Sequence, residues 1–139
     1  MKDLWFEFRW ARGESDNEFL IPTIWNRLVI NSEKPRDFFL GFLVDTGGCS
    51  YDVNIPGFVE LKNKIHDSKY DDSVVKSYCT ESWCADINGD VTKISFAYDE
   101  SYGENMDTEL FYRVLCEWID FVQQGPGQDG DSPIKKFTV

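Results

Sequence analysis

Residues 4–10 alternate strictly. Leu4, Phe6, Phe8 and Trp10 fall on one face of an extended chain, and Trp5, Glu7 and Arg9 on the other. That period of two predicts a half-buried strand. Gly13–Glu18 is polar and predicts a turn or loop. Pro22 suits the opening of a short helix through Ile24, Trp25, Leu28 and Val29, because the first helical position needs no N–H. Asn31–Arg36 is a polar break. Phe38–Val44 is apolar on both faces, and Asp45-Thr46-Gly47-Gly48 after it is a strong turn signal. Together they predict a short buried strand, with Tyr51–Ile55 as its partner. Beyond Pro56-Gly57, the residues Phe58, Leu61 and Ile65 recur at helical spacing and predict a short helix ending near His66.

Val74–Ile87 carries strand-forming residues with an interruption near Thr80–Ser82. The clearest hairpin signal follows. Asn88-Gly89 stands between Ala85–Ile87 and Val91–Tyr98, and Asn-Gly supplies the positive φ angles of a tight primed turn. Thr92, Ile94, Phe96 and Tyr98 share one face of the second strand. Asp99–Asn105 reads as a charged loop. Asp107–Gln124 then predicts an amphipathic helix whose stripe is Leu110, Phe111, Val114, Leu115, Trp118, Ile119 and Val122. Asp107 or Asn105 can cap its start, and Gly125 stops it. The pattern implies an α+β fold: a mostly antiparallel sheet with hairpins, packed against a long C-terminal helix and one or two shorter ones. Residues 1–125 form the domain. Residues 126–139 form a loose Gly/Pro/Asp tail, whose end, Ile134–Val139, can return as an edge strand.

Composition adds limits. The 139 residues are 42% apolar and 16% aromatic, enough for a core without a disulfide or metal staple. No apolar run reaches the roughly 18 residues a membrane span needs. The start, MKDLWFEFRW, carries charges in its apolar stretch and lacks a small-residue cleavage site, so no membrane role and a cytoplasmic location are expected. Cys49, Cys79, Cys84 and Cys116 show no C-x-x-C spacing, and His66 is remote from all of them. They are read as buried free thiols, with no metal and no cofactor.

Net charge is −11, and its distribution is uneven: residues 81–120 hold ten acids against two bases, while residues 1–80 hold thirteen against ten. Such a field repels nucleic acid, whose binding needs Lys and Arg against phosphate. It attracts a basic protein.

Three motifs invite chemistry. Leu43-Val44-Asp45-Thr46-Gly47 resembles the active-site loop of retroviral-type aspartic proteases, in which two subunits each give one Asp to activate water. Asp45 would be that residue in a homodimer. The downstream apolar-apolar-Gly motif of that family is missing, since Ser101-Tyr102-Gly103-Glu104 precedes the last helix. A glycine turn explains Asp45–Gly48 without chemistry. Asp86-Ile87-Asn88-Gly89-Asp90 looks like a calcium loop, but Val91 and Ala97 stand where an EF-hand needs Gly and Glu. His66 is the one imidazole, and no nucleophile elbow or phosphate-binding glycine loop accompanies it.

The C-terminal half resembles small acidic bacterial immunity proteins of polymorphic-toxin and contact-dependent growth inhibition systems. The carrying residues are Ala85-Asp86-Ile87-Asn88-Gly89-Asp90-Val91, Ile94-Ser95-Phe96-Ala97-Tyr98-Asp99-Glu100, and the helical Phe111–Phe121 with Trp118. The resemblance implies a non-enzymatic cytoplasmic protein, monomeric or weakly dimeric, that neutralises one cognate toxin domain. The charge pattern points to a basic nuclease as that toxin. The expected contacts are Asp86, Asp90, Asp99, Glu100, Tyr102, Glu104, Asp107 and Glu109. Trp5, Trp83 and Tyr102 can lie exposed beside these acids as anchors; alternatively Trp5 and Trp83 cover a second sheet face. A non-catalytic adaptor domain is the other reading.

Overall fold

The structure, a computed structural model, describes residues 4–12, 20–28, 37–125 and 134–138, with side chains for Phe8 and residues 38–125. The expected Gly13–Glu18 turn, Asn31–Arg36 break and Pro126–Pro133 tail lie outside the described residues, as does the Trp5 side chain.

The chain order is β1 (Leu4–Arg12), β2 (Leu20–Leu28), α1 (Asp37–Val44), α2 (Ile55–Ser68), β3 (Ser77–Cys79), β4 (Trp83–Asn88), β5 (Val91–Phe96), β6 (Asp99–Asp107), α3 (Thr108–Gln124) and β7 (Ile134–Thr138). Two antiparallel sheets result, one ordered β2-β1-β7 and the other β3-β4-β5-β6. The fold class is α+β.

α3 joins them. Phe111, Val114, Leu115, Trp118, Ile119 and Val122 of the expected stripe are buried, together with Phe121. Phe8 of β1 is fully buried and meets Trp118 edge-on at 5.2 Å and Phe121 at 5.5 Å. Asp107 takes the N-cap position with extended backbone and makes no side-chain cap bond. Gly125 ends the helix at φ 77°. On the other side, α3 packs on β5 and β6 while α1 packs on β4 and β5. The inward face of that sheet is Ala85, Ile87, Thr92, Ile94 and Met106, all buried. Its polar member is satisfied, since the Thr92 and Thr108 hydroxyls lie 2.9 Å apart.

Four local expectations are corrected. Leu20–Leu28 is a strand, not a helix. Pro22 opposes Trp10 in a strand that flanks β1 on one side, where a missing N–H costs no ladder bond if it faces outward. Asp37–Val44 is a helix, not a strand. Phe39, Phe42 and Leu43 are its buried residues, at helical spacing, while Phe38 and Leu40 pack at its flanks. A segment apolar all round hides that period, because no polar face marks it. Tyr51–Asn54 therefore has no strand to pair with and forms turns leading into α2. Asp99–Asn105 is not a loop but most of β6. Its polar side chains carry no strand signal, and the backbone of β5 supplies the pairing.

The remaining elements follow the pattern of the sequence. α2 buries Ile55, Phe58, Leu61 and Ile65. β3 and β4 are separated at 80–82, where the sequence is interrupted. The β4–β5 hairpin forms one residue later than Asn-Gly suggests. Asn88 pairs with Val91, so Gly89 (φ 60°) and Asp90 make the turn.

Cys79 and Cys84 are bonded to each other, against the expectation of four free thiols. They face each other across the β3–β4 hairpin with Cα atoms 4.0 Å apart. Linear spacing does not reveal that pairing; hairpin register does. Cys49 is free and exposed rather than buried, and Cys116 is free and half-buried. Among the described residues no His, Cys, Asp and Glu group could hold a metal, and no helix is long and apolar enough to cross a membrane.

Candidate functional site

The acids expected to form one contact surface lie on different parts of the four-stranded sheet. Register fixes their places. Asn88 and Val91 mark one end of the β4–β5 hairpin, and Trp83 and Phe96 the other. Five residue steps of strand separate the ends by about 17 Å. Asp90, Asp107 and Glu109 belong to the first end. Asp99, Glu100 and Tyr102 belong to the second. Asp86 lies between them on β4, opposite Lys93.

The second end is built from rings. Trp83 opens β4 and faces Phe96 across the ladder, with centroids 5.6 Å apart. Phe38 from the first turn of α1 stacks on Trp83 at 5.1 Å. Tyr102 tilts against Phe38 at 4.8 Å, and Tyr98 meets Phe96 edge-on at 5.3 Å. Phe38 and Trp83 pack on the core while Tyr102 and Tyr98 remain 55% and 77% exposed. Trp83 is thus a half-buried support, and Tyr102 is exposed.

A register shift in β6 lifts Tyr102 into that position. Ser95 pairs with Gly103 but Phe96 with Asp99, so residues 100–102 bulge from the ladder. Gly103 permits the close return, since a Cβ there would lie 2.5 Å from the Ile94 carbonyl oxygen. Asp99 pins the start of the bulge by accepting bonds from the Ser101 hydroxyl at 2.6 Å and N–H at 3.0 Å. These bonds, the hydroxyl first, hold the Asp99 carboxyl below its ordinary pKa. Asp99 and Glu100 pair with no cation among the described residues. Glu100 acts on Asp86, whose pKa is raised by desolvation first and by Glu100 next, with Lys93 opposing.

Other expected contacts do internal work. Glu104 is half-buried and accepts the Phe39 N–H at 3.0 Å, satisfying an orphan donor at the start of α1. Asp90 accepts from Tyr70 at 2.7 Å and pairs with Lys69 at 3.0 Å. Its backbone carbonyl also takes the Thr108 N–H at 2.8 Å, tying the hairpin to α3.

Asp45 follows α1 and closes a turn. Its Oδ1 accepts the Gly47 N–H at 3.2 Å, and its Oδ2 accepts the Thr80 hydroxyl at 2.8 Å and the Ser82 N–H at 2.7 Å. Both oxygens are thus occupied within the chain, holding the α1–α2 connection against the β3–β4 hairpin.

At the first end, α2 and α3 border an open cleft of about 790 Å³ that the sequence did not announce. Its walls include Ile65, His66, Tyr70, Thr108 and Tyr112, with Lys69 and Glu109 also lining it. His66 Nδ1 lies 3.0 Å from Asp67, and its ring lies 6.4 Å from that of Tyr112.

No protein-family model, curated protein or solved structure matches this chain.

Proposed function

We propose that the chain is an immunity-type inhibitor that binds one cognate toxin domain, a basic nuclease, through the aromatic and acidic end of the four-stranded sheet. The supporting observation is the run of rings from Tyr102 through Phe38, Trp83 and Phe96 to Tyr98, beside the unneutralised Asp99 and Glu100. Exposed tyrosines on a rigid aromatic base give contact area at little entropic cost, and such residues dominate interface energetics. The carboxylates add steering toward a basic cleft. The contact set narrows to Tyr98, Asp99, Glu100 and Tyr102, with Asp86 beside Glu100; Glu104 supports the fold.

A cytoplasmic inhibitor, monomeric or weakly dimeric, belongs to the same reading. The Cys79–Cys84 bond weighs against that compartment, because disulfides are rare where glutathione keeps thiols reduced. Trapping thiols at cell lysis settles the point: reduced Cys79 and Cys84 fit the cytoplasm, and an intact bond places the chain in an oxidising compartment.

The test is capture of partners from native cells, followed by assay of the captured protein's toxicity with and without this chain. A one-to-one basic partner whose nuclease activity is abolished supports the reading. Asp99→Lys with Glu100→Lys should then slow association and flatten its salt dependence. An active toxin that stays active in the complex, or reversals that leave association unchanged, would sink it.

A further inference from the structure

We infer that the cleft between the end of α2 and the start of α3 is a second contact site, and that it receives an arginine side chain of the basic protein partner. The inference rests on the reading of a basic protein partner, but on different residues from the aromatic end.

Three features converge on a cation with a planar face. The first is charge. Asp67, Asp71 and Glu109 line the cleft; Asp67 meets His66 at 3.0 Å, Asp71 accepts the Ser73 hydroxyl and N–H, and the cation on the wall, Lys69, is paired with Asp90 at 3.0 Å. Glu109 itself pairs with no cation among the described residues. The second is the backbone. The carbonyl end of α2, whose last residue is Ser68, opens at the cleft and favours positive charge. The start of α3 has the opposite sign, and Asp107 and Glu109 sit over it. The third is surface. Tyr112 offers a ring, the 70% exposed Tyr70 already holds the Lys69 ammonium 4.9 Å from its ring centroid, and Ile65 offers an apolar floor. Guanidinium stacks on aromatic rings while its edge bonds to carboxylates; the compact, strongly hydrated ammonium of lysine does this less well.

The volume accommodates a ligand group, since such clefts commonly span roughly 300–1,000 Å³. Lys69, the chain's own cation on the cleft wall, is held by Asp90 at 3.0 Å and lies over the Tyr70 ring at 4.9 Å, so an incoming guanidinium would meet the remaining lining, Glu109 and Tyr112.

The chain's single histidine makes the test direct, since His66 lines the cleft and gives one Hε1 resonance. N-acetyl-arginine amide, N-acetyl-lysine amide and the neutral N-acetyl-citrulline amide are titrated against the full chain by NMR. Arginine should shift His66 saturably, lysine should bind more weakly, and citrulline should not bind. Glu109→Gln and Tyr70→Ala, both at exposed positions, should each weaken arginine binding about two- to fivefold. Absence of a saturable arginine shift, equal binding of citrulline or lysine, or indifference to both variants would overturn the assignment. None of these outcomes bears on Asp99 and Glu100, so loss of this site and loss of the toxin reading are separable.

Discussion

The two ends of the four-stranded sheet use acidic residues in opposite ways. At the Gly89–Asp90 turn the carboxylate is consumed: Asp90 holds Lys69 and Tyr70, and its backbone carries the start of α3. At the Phe96–Asp99 turn the fold is closed by rings instead; Asp99 is bonded only within its own strand, by Ser101, and Glu100 is left exposed. A count of acids along the sequence treats both ends alike. What distinguishes them is whether a cation or donor from another element reaches the carboxylate. An acid that is satisfied internally has less to offer a partner than one held out beside exposed tyrosines.

The comparison can be broken most severely at the helix beneath both ends. Trp118→Ala removes a nearly buried ring that touches Phe8 and Phe121. Chemical denaturation should show a loss of about 3–5 kcal/mol. A much smaller loss would mean that the two sheets are not coupled through α3.

Asp45→Asn comes next. It weakens bonds to Thr80, Ser82 and Gly47, and leaving such donors poorly paired costs about 1–3 kcal/mol. The loss should appear in chemical unfolding. Unchanged stability would mean that this carboxylate does not hold the α1–α2 connection in place.

Tyr102→Ala sharpens the contrast. Its stability cost should be within about 1 kcal/mol, since over half of the ring is exposed. Its cost in partner affinity should be about 2 kcal/mol, near thirtyfold, if Tyr102 anchors the interface. A stability loss exceeding the binding loss would reverse those roles.

The smallest effect is in titration. Hydrogen bonds from Tyr70, then from Lys69, depress the Asp90 carboxyl, while burial and Glu100 raise that of Asp86. Carboxyl NMR should therefore show Asp90 titrating below Asp86. A depressed carboxylate pKa stabilises the fold above the unfolded pKa, and that contribution fades as pH falls through the folded value. Asp86 has the opposite sign: its charged form is disfavoured in the fold, so protonation at falling pH relieves it. Glu100→Gln should bring the Asp86 pKa down, and Tyr70→Phe should bring the Asp90 pKa up.

Several elements were legible because periodicity suffices when one face is polar. Leu4–Trp10 alternates, Phe58–Leu61–Ile65 recurs at helical spacing, and the stripe of α3 runs from Leu110 to Val122 within a 17-residue helix. Gly89 at φ 60° shows why a glycine marks the hairpin, and the turn moved by only one residue. Of the expected contacts, Tyr102 and Asp99 lie together at one turn, whereas Glu104 turned out to serve the start of α1. No local pattern announces that a carboxylate on one element will meet an N–H 65 residues away.

By itself the sequence determined the strong helix of α3, the strand of β1, the hairpin after Ile87 and the acidic excess of residues 81–120. Each is a property of residues near one another, so local propensity and period encode it. Tertiary structure decided the rest. Phe38–Val44 is apolar all round, and packing on β2, β4 and β5 is associated with its helical form. β6 is polar, and the exposed backbone edge of β5 makes it a strand. Cys79 and Cys84 became partners through hairpin register, and the cleft beside His66 exists only where α2 meets α3. In each case the deciding interaction joins groups whose proximity is created by folding, so its free energy belongs to the assembled chain and to no segment alone.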